Sequence, residues 1–173
     1  MALRRTSNQG SKPQGKSKPF AIDDFFPHLI NKVTMRIAAD FHGKAKRLGV
    51  TIEKWRVMAV LTGCGPLTIT EISKQTSIEL STVSHLLKRM ERDRFIVRKR
   101  IARDARSFVV DLTPRGRKIA DLLLPMARQY EKIALAGLSP RATALLKQQL
   151  RDIYCNVERL ERDIISPAAA RRR

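Results

Sequence analysis

The chain has 173 residues, 43% of them apolar, which is enough for one compact unit with a buried core. No apolar run approaches the roughly 20 residues that cross a bilayer, and residues 1–19 contain no apolar block typical of a secretory signal. Cys64 and Cys155 lack the paired spacing of a zinc site or a disulfide framework. These features predict a cytoplasmic protein without a metal or cofactor.

Charge is the strongest signal in the composition, since 35 Lys and Arg against 16 Asp and Glu give a net charge of +19. Most of this excess lies in residues 1–19, residues 171–173 and residues 81–118. A basic balance concentrated in this way indicates a polyanionic partner.

The chain begins with a polar arm, and two predicted helices follow it. Residues 1–19 are rich in Ser, Gln, Gly, Pro and Lys, which predicts a disordered basic arm. Apolar residues at steps of three and four predict a helix over residues 24–48. A second helix is predicted from about Ile52 to Leu61, ending at the Gly63-Cys64-Gly65-Pro66 stretch.

Two short helices are predicted next. Thr68 and Glu71 have the spacing of a capping box, in which each side chain bonds an orphan backbone N–H. Thr76 and Glu79 repeat that spacing and predict a second box, opening a helix over residues 78–92. Two short helices joined by a tight turn form a helix-turn-helix. The second helix is predicted to bury one apolar face, made of Leu80, Val83, Leu87 and Met90.

The spacing of apolar residues then becomes typical of β-strands, and after the hairpin it is again typical of helices. Residues 95–101 and 107–112 predict a two-stranded hairpin with a charged tip at residues 102–106. Thr113-Pro114 predicts the start of a long helix to about Ala136, kinked at Pro125. Ser139-Pro140 predicts the start of a last helix. Its apolar seam, typical of a helix packed along another helix, consists of Leu146, Leu150, Ile153, Val157, Leu160 and Ile164.

The order of these elements and several short motifs resemble the MarR (multiple antibiotic resistance regulator) family of transcription factors. The motifs are Trp55-Arg56-Val57, Ile69-Thr70-Glu71-Ile72-Ser73, Ser81-Thr82-Val83-Ser84, Asp104-Ala105-Arg106 and Leu112-Thr113-Pro114-Arg115-Gly116. The resemblance implies a mainly α fold with a small β-hairpin. A winged helix-turn-helix domain would span residues 51–113, with dimerisation helices in residues 20–50 and 114–165 and a basic tail at residues 166–173.

The resemblance further implies a homodimer, and the apolar seam of the last helix independently requires a partner. A dimer would place its two recognition helices about one DNA turn, roughly 34 Å, apart. The operator on double-stranded DNA would then be an inverted repeat, and the terminal arms would add phosphate contacts that do not depend on sequence.

The predicted helix over residues 78–92 has the composition of a helix that enters the major groove. Its polar face carries small hydrogen-bonding groups near the N-terminus and cations further along. The alternative is an ordinary solvated face, which the adjoining basic hairpin makes less favoured. We expect base-edge contacts from Ser81, Thr82, Ser84 and His85, and phosphate contacts from Lys88 and Arg89.

In the wing motif of the resembled family, Asp104 orients an arginine that enters the minor groove, here Arg106 with Arg103 beside it. A carboxylate holds a guanidinium in one direction and so reduces the entropy lost on docking; the alternative is an ordinary exposed ion pair. Arg98 and Arg100 are expected to contact the DNA backbone. One position departs from the family, which commonly has glycine where this chain has Arg94, so either the turn differs or Arg94 adopts a strained conformation.

Regulators of the resembled family usually bind a ligand between the dimerisation helices and the DNA-binding domain. Arginine and histidine near this region favour a small organic anion, such as an aromatic carboxylate or its coenzyme A thioester, that releases a repressor from DNA. Each candidate is also an ordinary core or surface residue. The candidates are His28, Met35, Arg36, His42, Trp55 and Tyr130.

Three other classes of function fit the sequence less well. An enzyme is not expected, because the chain has three histidines and no metalloprotease, dinucleotide-binding or phosphate-loop motif. An architectural or ribosomal nucleic-acid-binding protein would also suit the charge, but the charge is separated from nearly neutral long helices. A redox-sensing repressor would need a reactive thiol at Cys64, which has no adjacent cation; Cys155 is predicted to be buried packing.

Overall fold

The computed structural model describes residues 20–101 and 104–165, and its side chains are described for residues 20–100 and 108–160. Residues 1–19, Ala102, Arg103 and residues 166–173 therefore lie outside the described part of the chain. The basic arm and the basic tail remain predictions. The chain divides into two units between Arg36 and Ile37.

The first unit contains a single 3-10 turn at Ile22–Asp24 and the beginning of helix α1 (Phe26–Lys46). The rings of Phe20 and Phe25 meet edge to face, with centroids 5.2 Å apart. None of the described side chains of this unit is buried, and its large apolar side chains are exposed. These are Phe20, Ile22, Phe25, Phe26, Leu29, Ile30, Val33 and Met35.

Helices α2 (Ile52–Cys64), α3 (Ile69–Thr76) and α4 (Leu80–Arg92) follow as predicted, within a few residues at their ends. The capping box of α3 is confirmed, because Glu71 N–H is bonded to Thr68 and the Glu71 carboxylate accepts from Thr68 N–H at 2.7 Å. The second box is wrong. Thr76 is the last residue of α3, and its hydroxyl donates to the Ile72 carbonyl at 2.7 Å.

The antiparallel hairpin is confirmed as β1 (Ile96–Ile101) and β2 (Asp104–Leu112). Its pairing runs from Ile96 opposite Leu112 to Arg100 opposite Phe108, and a bulge follows at Arg100 and Ile101. Strand β1 ends at Ile101 as predicted, whereas β2 reaches further toward the tip than predicted, because it begins at Asp104. Leu67 adds a short antiparallel bridge to Val110.

Two long helices complete the chain, α5 (Pro114–Ala134) and α6 (Pro140–Ile165). Thr113 is the N-cap of α5, and its hydroxyl accepts from Gly116 N–H at 3.0 Å, as the Thr-Pro signature predicts. Pro125 lies inside α5, and the kink there stays a prediction. None of the helices in the described residues is long and apolar enough to span a membrane.

The core of the second unit lies where α2, α3, α4 and α5 meet the hairpin. On α4 the buried side chains are Val83, Leu86, Leu87 and Met90. Leu80, predicted to share that face, is 45% exposed, because it is the first helical residue and Leu86 takes its place in the core. The remaining core comes mainly from Phe41, Val57, Met58, Leu61, Ile72, Phe95, Ile96, Val110, Leu112 and Leu123.

Helix α6 contributes no buried residue among its described side chains. Its seam is largely open to solvent, with Leu150 39%, Val157 49% and Leu160 57% exposed. Cys155, predicted to be buried packing, is exposed as well, because the described residues leave this side of α6 largely uncovered. Ile164 belongs to α6, but its side chain lies outside the described set.

Candidate DNA-binding surface

The start of α4 is organised by Glu79, which is its N-cap. The Glu79 carboxylate accepts from the backbone N–H groups of Ser81 and Thr82, both at 3.0 Å, and the Ser81 hydroxyl donates to it as well. These bonds, the Ser81 hydroxyl first, lower the pKa of Glu79 to about 2. The sequence spacing predicted Thr76 as the N-cap and Glu79 as the last residue of a capping box. In the structure Glu79 itself is the N-cap.

The predicted DNA-contacting residues of α4 lie on its solvent side, opposite the buried Val83 and Leu87. Ser81, Thr82 and His85 are exposed, whereas Ser84 is half-buried. Lys88 and Arg89, one turn further on, are exposed and have no acidic partner among the described side chains. This face therefore offers small polar groups at one end and free cations at the other, the arrangement that suits base edges and phosphates respectively.

The other end of α4 is held by an ion pair that no sequence pattern predicted. The Lys54 ammonium of α2 donates to the Asp93 carboxylate at 2.8 Å and to the Gly49 carbonyl at 3.1 Å. The Lys54 side chain is only 14% exposed, so solvent screens this pair less than a surface pair. The hydrogen bond from Lys54 lowers the pKa of Asp93. No local pattern connects residues 39 positions apart.

The turn between α4 and β1 resolves the question raised by Arg94. Arg94 has φ 60°, so it occupies the left-handed region in which glycine is favoured. The Thr113 hydroxyl donates to the Arg94 carbonyl at 2.7 Å, which supports this conformation. Gly116 packs directly against the turn, where a Cβ would overlap the Phe95 carbonyl oxygen. Thr113 and Gly116 thus join the start of α5 to the base of the hairpin.

The described part of the hairpin carries three exposed cations on β1. The Arg98 guanidinium lies 3.3 Å from the Glu91 carboxylate of α4, and the Arg100 guanidinium lies 5.8 Å from the centre of the Phe108 ring. Arg103 lies outside the described residues. Asp104 and Arg106 are placed in β2, but their side chains are not among those described. Their roles in the wing, and those of Arg98 and Arg100 on DNA, stay predictions.

Asp111 is a buried acid at the base of the hairpin. Its carboxylate accepts from the Lys99 ammonium at 2.6 Å and from the Leu112 N–H at 2.8 Å, and Arg117 of α5 lies 3.5 Å away. The Lys99 hydrogen bond holds the pKa of Asp111 below its ordinary value. Since Lys99 is on β1 and Arg117 is on α5, Asp111 links both strands to that helix.

Of the ligand-pocket candidates, the structure brings two together. Trp55 and Tyr130 both contact Phe41, with ring centroids 5.2 Å and 6.0 Å from it, and both pack against the core. The Tyr130 hydroxyl donates to the Asp40 carboxylate at 2.5 Å. His42 is half-buried in the same unit. His28, Met35 and Arg36 belong to the first unit.

Two open cavities lie elsewhere in the second unit. One, of about 350 Å³, lies between the α3–α4 turn and α6, where the hydroxyls of Ser77 and Tyr154 are 3.4 Å apart. The other, of about 390 Å³, is bounded by the start of α3 and the hairpin, including Thr68, Arg98 and Phe108. Within the described residues no group of His, Cys, Asp and Glu side chains could hold a metal ion.

Comparisons with known proteins agree with this arrangement. Residues 48–107 match the model of the MarR family. The chain is 26% identical to a MarR family transcriptional regulator from Silicibacter pomeroyi, whose crystal structure superposes with a TM-score of 0.71 over 79% of this chain and 92% of that one. It is also similar to the HTH-type transcriptional repressor IacR of Pseudomonas putida, with 24% identity over 83% of this chain and 86% of IacR.

A third relative is BpsR of Bordetella bronchiseptica, whose DNA binding is regulated by 6-hydroxynicotinic acid. Its structure has a TM-score of 0.69, 24% identity, and covers 79% of this chain and 97% of BpsR, which shows the shared fold. The chain is similar to MarR family transcriptional regulators and shares their winged helix-turn-helix fold.

Proposed function

We propose that the protein is a homodimeric repressor that binds an inverted-repeat operator and is released from it by a small organic anion. The observation that carries the DNA-binding part is the exposed face of α4. Its polar N-terminal end lies near the N-cap Glu79, and its far end is held by the Lys54–Asp93 pair. Between them lie Lys88 and Arg89, which have no acidic partner among the side chains that the structure describes. A helix fixed in this way loses little further freedom on entering a groove.

The homodimer is supported by the apolar surface that the chain leaves uncovered. The seam of α6 and the first unit both expose large side chains. Monomeric proteins rarely expose contiguous apolar patches larger than a few hundred Å². A second copy of the chain would cover such helices and, by its two-fold symmetry, present two α4 helices to an inverted repeat.

The ligand class is supported by one relative and by local chemistry. BpsR responds to 6-hydroxynicotinic acid, an aromatic carboxylic acid. In this chain Trp55, Phe41 and Tyr130 form a group of aromatic rings, with Lys44 5.1 Å from the Tyr130 ring. Rings that stack and cations that pair with a carboxylate are the groups such a ligand needs. An aromatic carboxylate or its coenzyme A thioester is the proposed effector.

The test begins with selection of bound duplexes from random DNA by the full chain, followed by titration of the selected duplex with aromatic acids and their thioesters. We expect an inverted repeat with half-sites about ten base pairs apart and its release by at least one acid. An architectural protein would enrich no motif. A selected motif without a two-fold repeat would exclude binding as a symmetric dimer. If the protein stays on the DNA in the presence of every acid tested, the proposed effector class is excluded.

A further inference from the structure

We infer that Glu79, through Ser81, makes the N-terminal end of α4 accept hydrogen bonds without donating them, so that it selects adenine or cytosine at the base it faces. Glu79 was not among the residues predicted to determine DNA binding. The inference rests on the proposed insertion of α4 into the major groove and names the bases that one end of it reads.

The hydrogen bonds at this end determine which groups remain for DNA. A serine hydroxyl has one proton to donate and two lone pairs that accept. The Ser81 hydroxyl lies against the Glu79 carboxylate, and an ionised carboxylate can only accept, so the hydroxyl proton is directed to Glu79. Ser81 therefore presents only lone pairs outward.

Glu79 adds acceptors of its own. Its two carboxylate oxygens bind the N–H groups of Ser81 and Thr82 but retain further lone pairs, and the side chain is exposed. The Thr82 hydroxyl also lies within 3.5 Å of the same carboxylate. With a pKa of about 2, Glu79 is ionised at neutral pH. Three neighbouring side chains thus offer the groove acceptors.

The major groove distinguishes bases by donors and acceptors. Adenine N6 and cytosine N4 carry amino donors, whereas guanine presents N7 and O6 and thymine presents O4, all of them acceptors. Two acceptors placed face to face leave both without a partner, which costs free energy in a desolvated interface. An acceptor-only end of α4 consequently favours the amino bases over guanine and thymine.

The experiment compares variants that keep the helix capped. Asp and Ser are both preferred N-cap residues, but only Asp retains the carboxylate. In duplex selection, Glu79→Asp is expected to keep the preference for an amino base, and Glu79→Ser to reduce it about fivefold to tenfold at that one position. Ser81→Ala is expected to weaken the same position. Glu53→Ser, which removes another exposed carboxylate from the first turn of α2, is the control for charge.

The outcomes separate this inference from the proposed function. If the native chain enriches no DNA motif, both the proposed function and the inference about Glu79 are contradicted. A native motif that is unchanged in Glu79→Ser, or that changes equally in Glu53→Ser, would overturn the role of Glu79 and leave DNA binding in place. Loss of preference at one base in Glu79→Ser, with its retention in Glu79→Asp and with equal helix content by circular dichroism, would support the inference.

Discussion

Helices α4 and α6 are both amphipathic, yet the chain treats their apolar faces differently. The apolar face of α4 is closed inside the second unit, where Val83, Leu87 and Met90 are each at most 1% exposed. The seam of α6 has the same spacing, but Leu150, Val157 and Leu160 remain in solvent. Within the described residues, a single copy of the chain thus completes the core around α4. The apolar seam of α6 remains largely uncovered.

This difference shows that apolar periodicity predicts that a face will be covered, but not by what. The apolar face of α4 is covered within the same chain, by α2, α3 and the hairpin. The proposed partner of α6 is a second chain. Substitutions on the two helices should therefore alter different equilibria, unfolding for α4 and dimerisation for α6.

The largest effect is expected from the closed face. Leu87→Ala should lower the free energy of unfolding by about 2–5 kcal/mol, since it leaves a cavity in a packed core. Leu160→Ala is the matched control, with the same atoms removed from an exposed position. Urea unfolding of both variants, at a concentration where the native chain is monomeric, measures the two changes in unfolding free energy. Equal losses of stability in Leu87→Ala and Leu160→Ala would contradict the prediction.

On the exposed seam of α6, an added charge should weaken dimerisation, whereas truncating a side chain should have little effect on the stability of the single chain. Leu160→Glu is expected to weaken dimerisation by about 3 kcal/mol, because the apolar contact is lost in both copies of a symmetric interface. Gln149→Glu adds the same charge at an exposed polar position of α6. Sedimentation equilibrium gives both dissociation constants. A Leu160→Glu dimer as tight as the native one would place the interface elsewhere.

The region around the closed apolar face of α4 also carries the proposed contacts to DNA. Arg106→Ala is expected to weaken operator binding by about 1–3 kcal/mol without altering dimerisation, since one arginine leaves the minor groove. A gel-shift titration beside sedimentation of the same samples separates the two effects. Native affinity in the variant would exclude Arg106 from the interface.

Acid should weaken the N-cap of α4. The carboxyl of Glu79 has a pKa lowered from 4.5 to about 2 in the folded chain. Its contribution to stability is therefore fully present above the unfolded value and is lost as pH falls from about 4.5 toward about 2. The difference in thermal stability between native chain and Glu79→Gln should shrink over that range. A difference that stays constant with pH would show that the charge of Glu79 does not support the helix.

The smallest effect is expected from the N-terminal arm. Deleting residues 1–19 removes five Lys and Arg residues without removing an acid. The dependence of log affinity on log salt should become shallower while the selected motif stays the same, since phosphate contacts release counterions but read no bases. Binding measured from low to moderate salt tests this. An unchanged slope would mean that the arm does not contact phosphate.

The sequence predicted most of the fold because its signals are local. Capping residues such as Thr68 and Thr113, the change of period at the hairpin and the spacing of apolar residues all act within a few positions. Two local predictions were wrong for a local reason. Glu79 caps α4 with its own carboxylate, so Thr76 stays in α3 and Leu80 begins the helix on its solvent side.

The parts of the site that could not be predicted depend on contacts between distant segments. The Lys54–Asp93 pair and the links from Asp111 to Lys99 and Arg117 arise only when α2, α5 and the hairpin are packed together. Gly116 was visible as part of a motif, but its close approach to Phe95 is a property of the packed structure.

The close packing of Gly116 on Phe95 makes the first turn of α5 and the foot of the hairpin one rigid joint. The Phe95 carbonyl accepts from Thr113 N–H at 3.0 Å, and no side chain separates the two segments. A rotation of α5 about its axis must therefore carry the hairpin with it. Because β2 extends nine residues from this joint, even a small rotation would sweep the far end of the hairpin through a much larger arc.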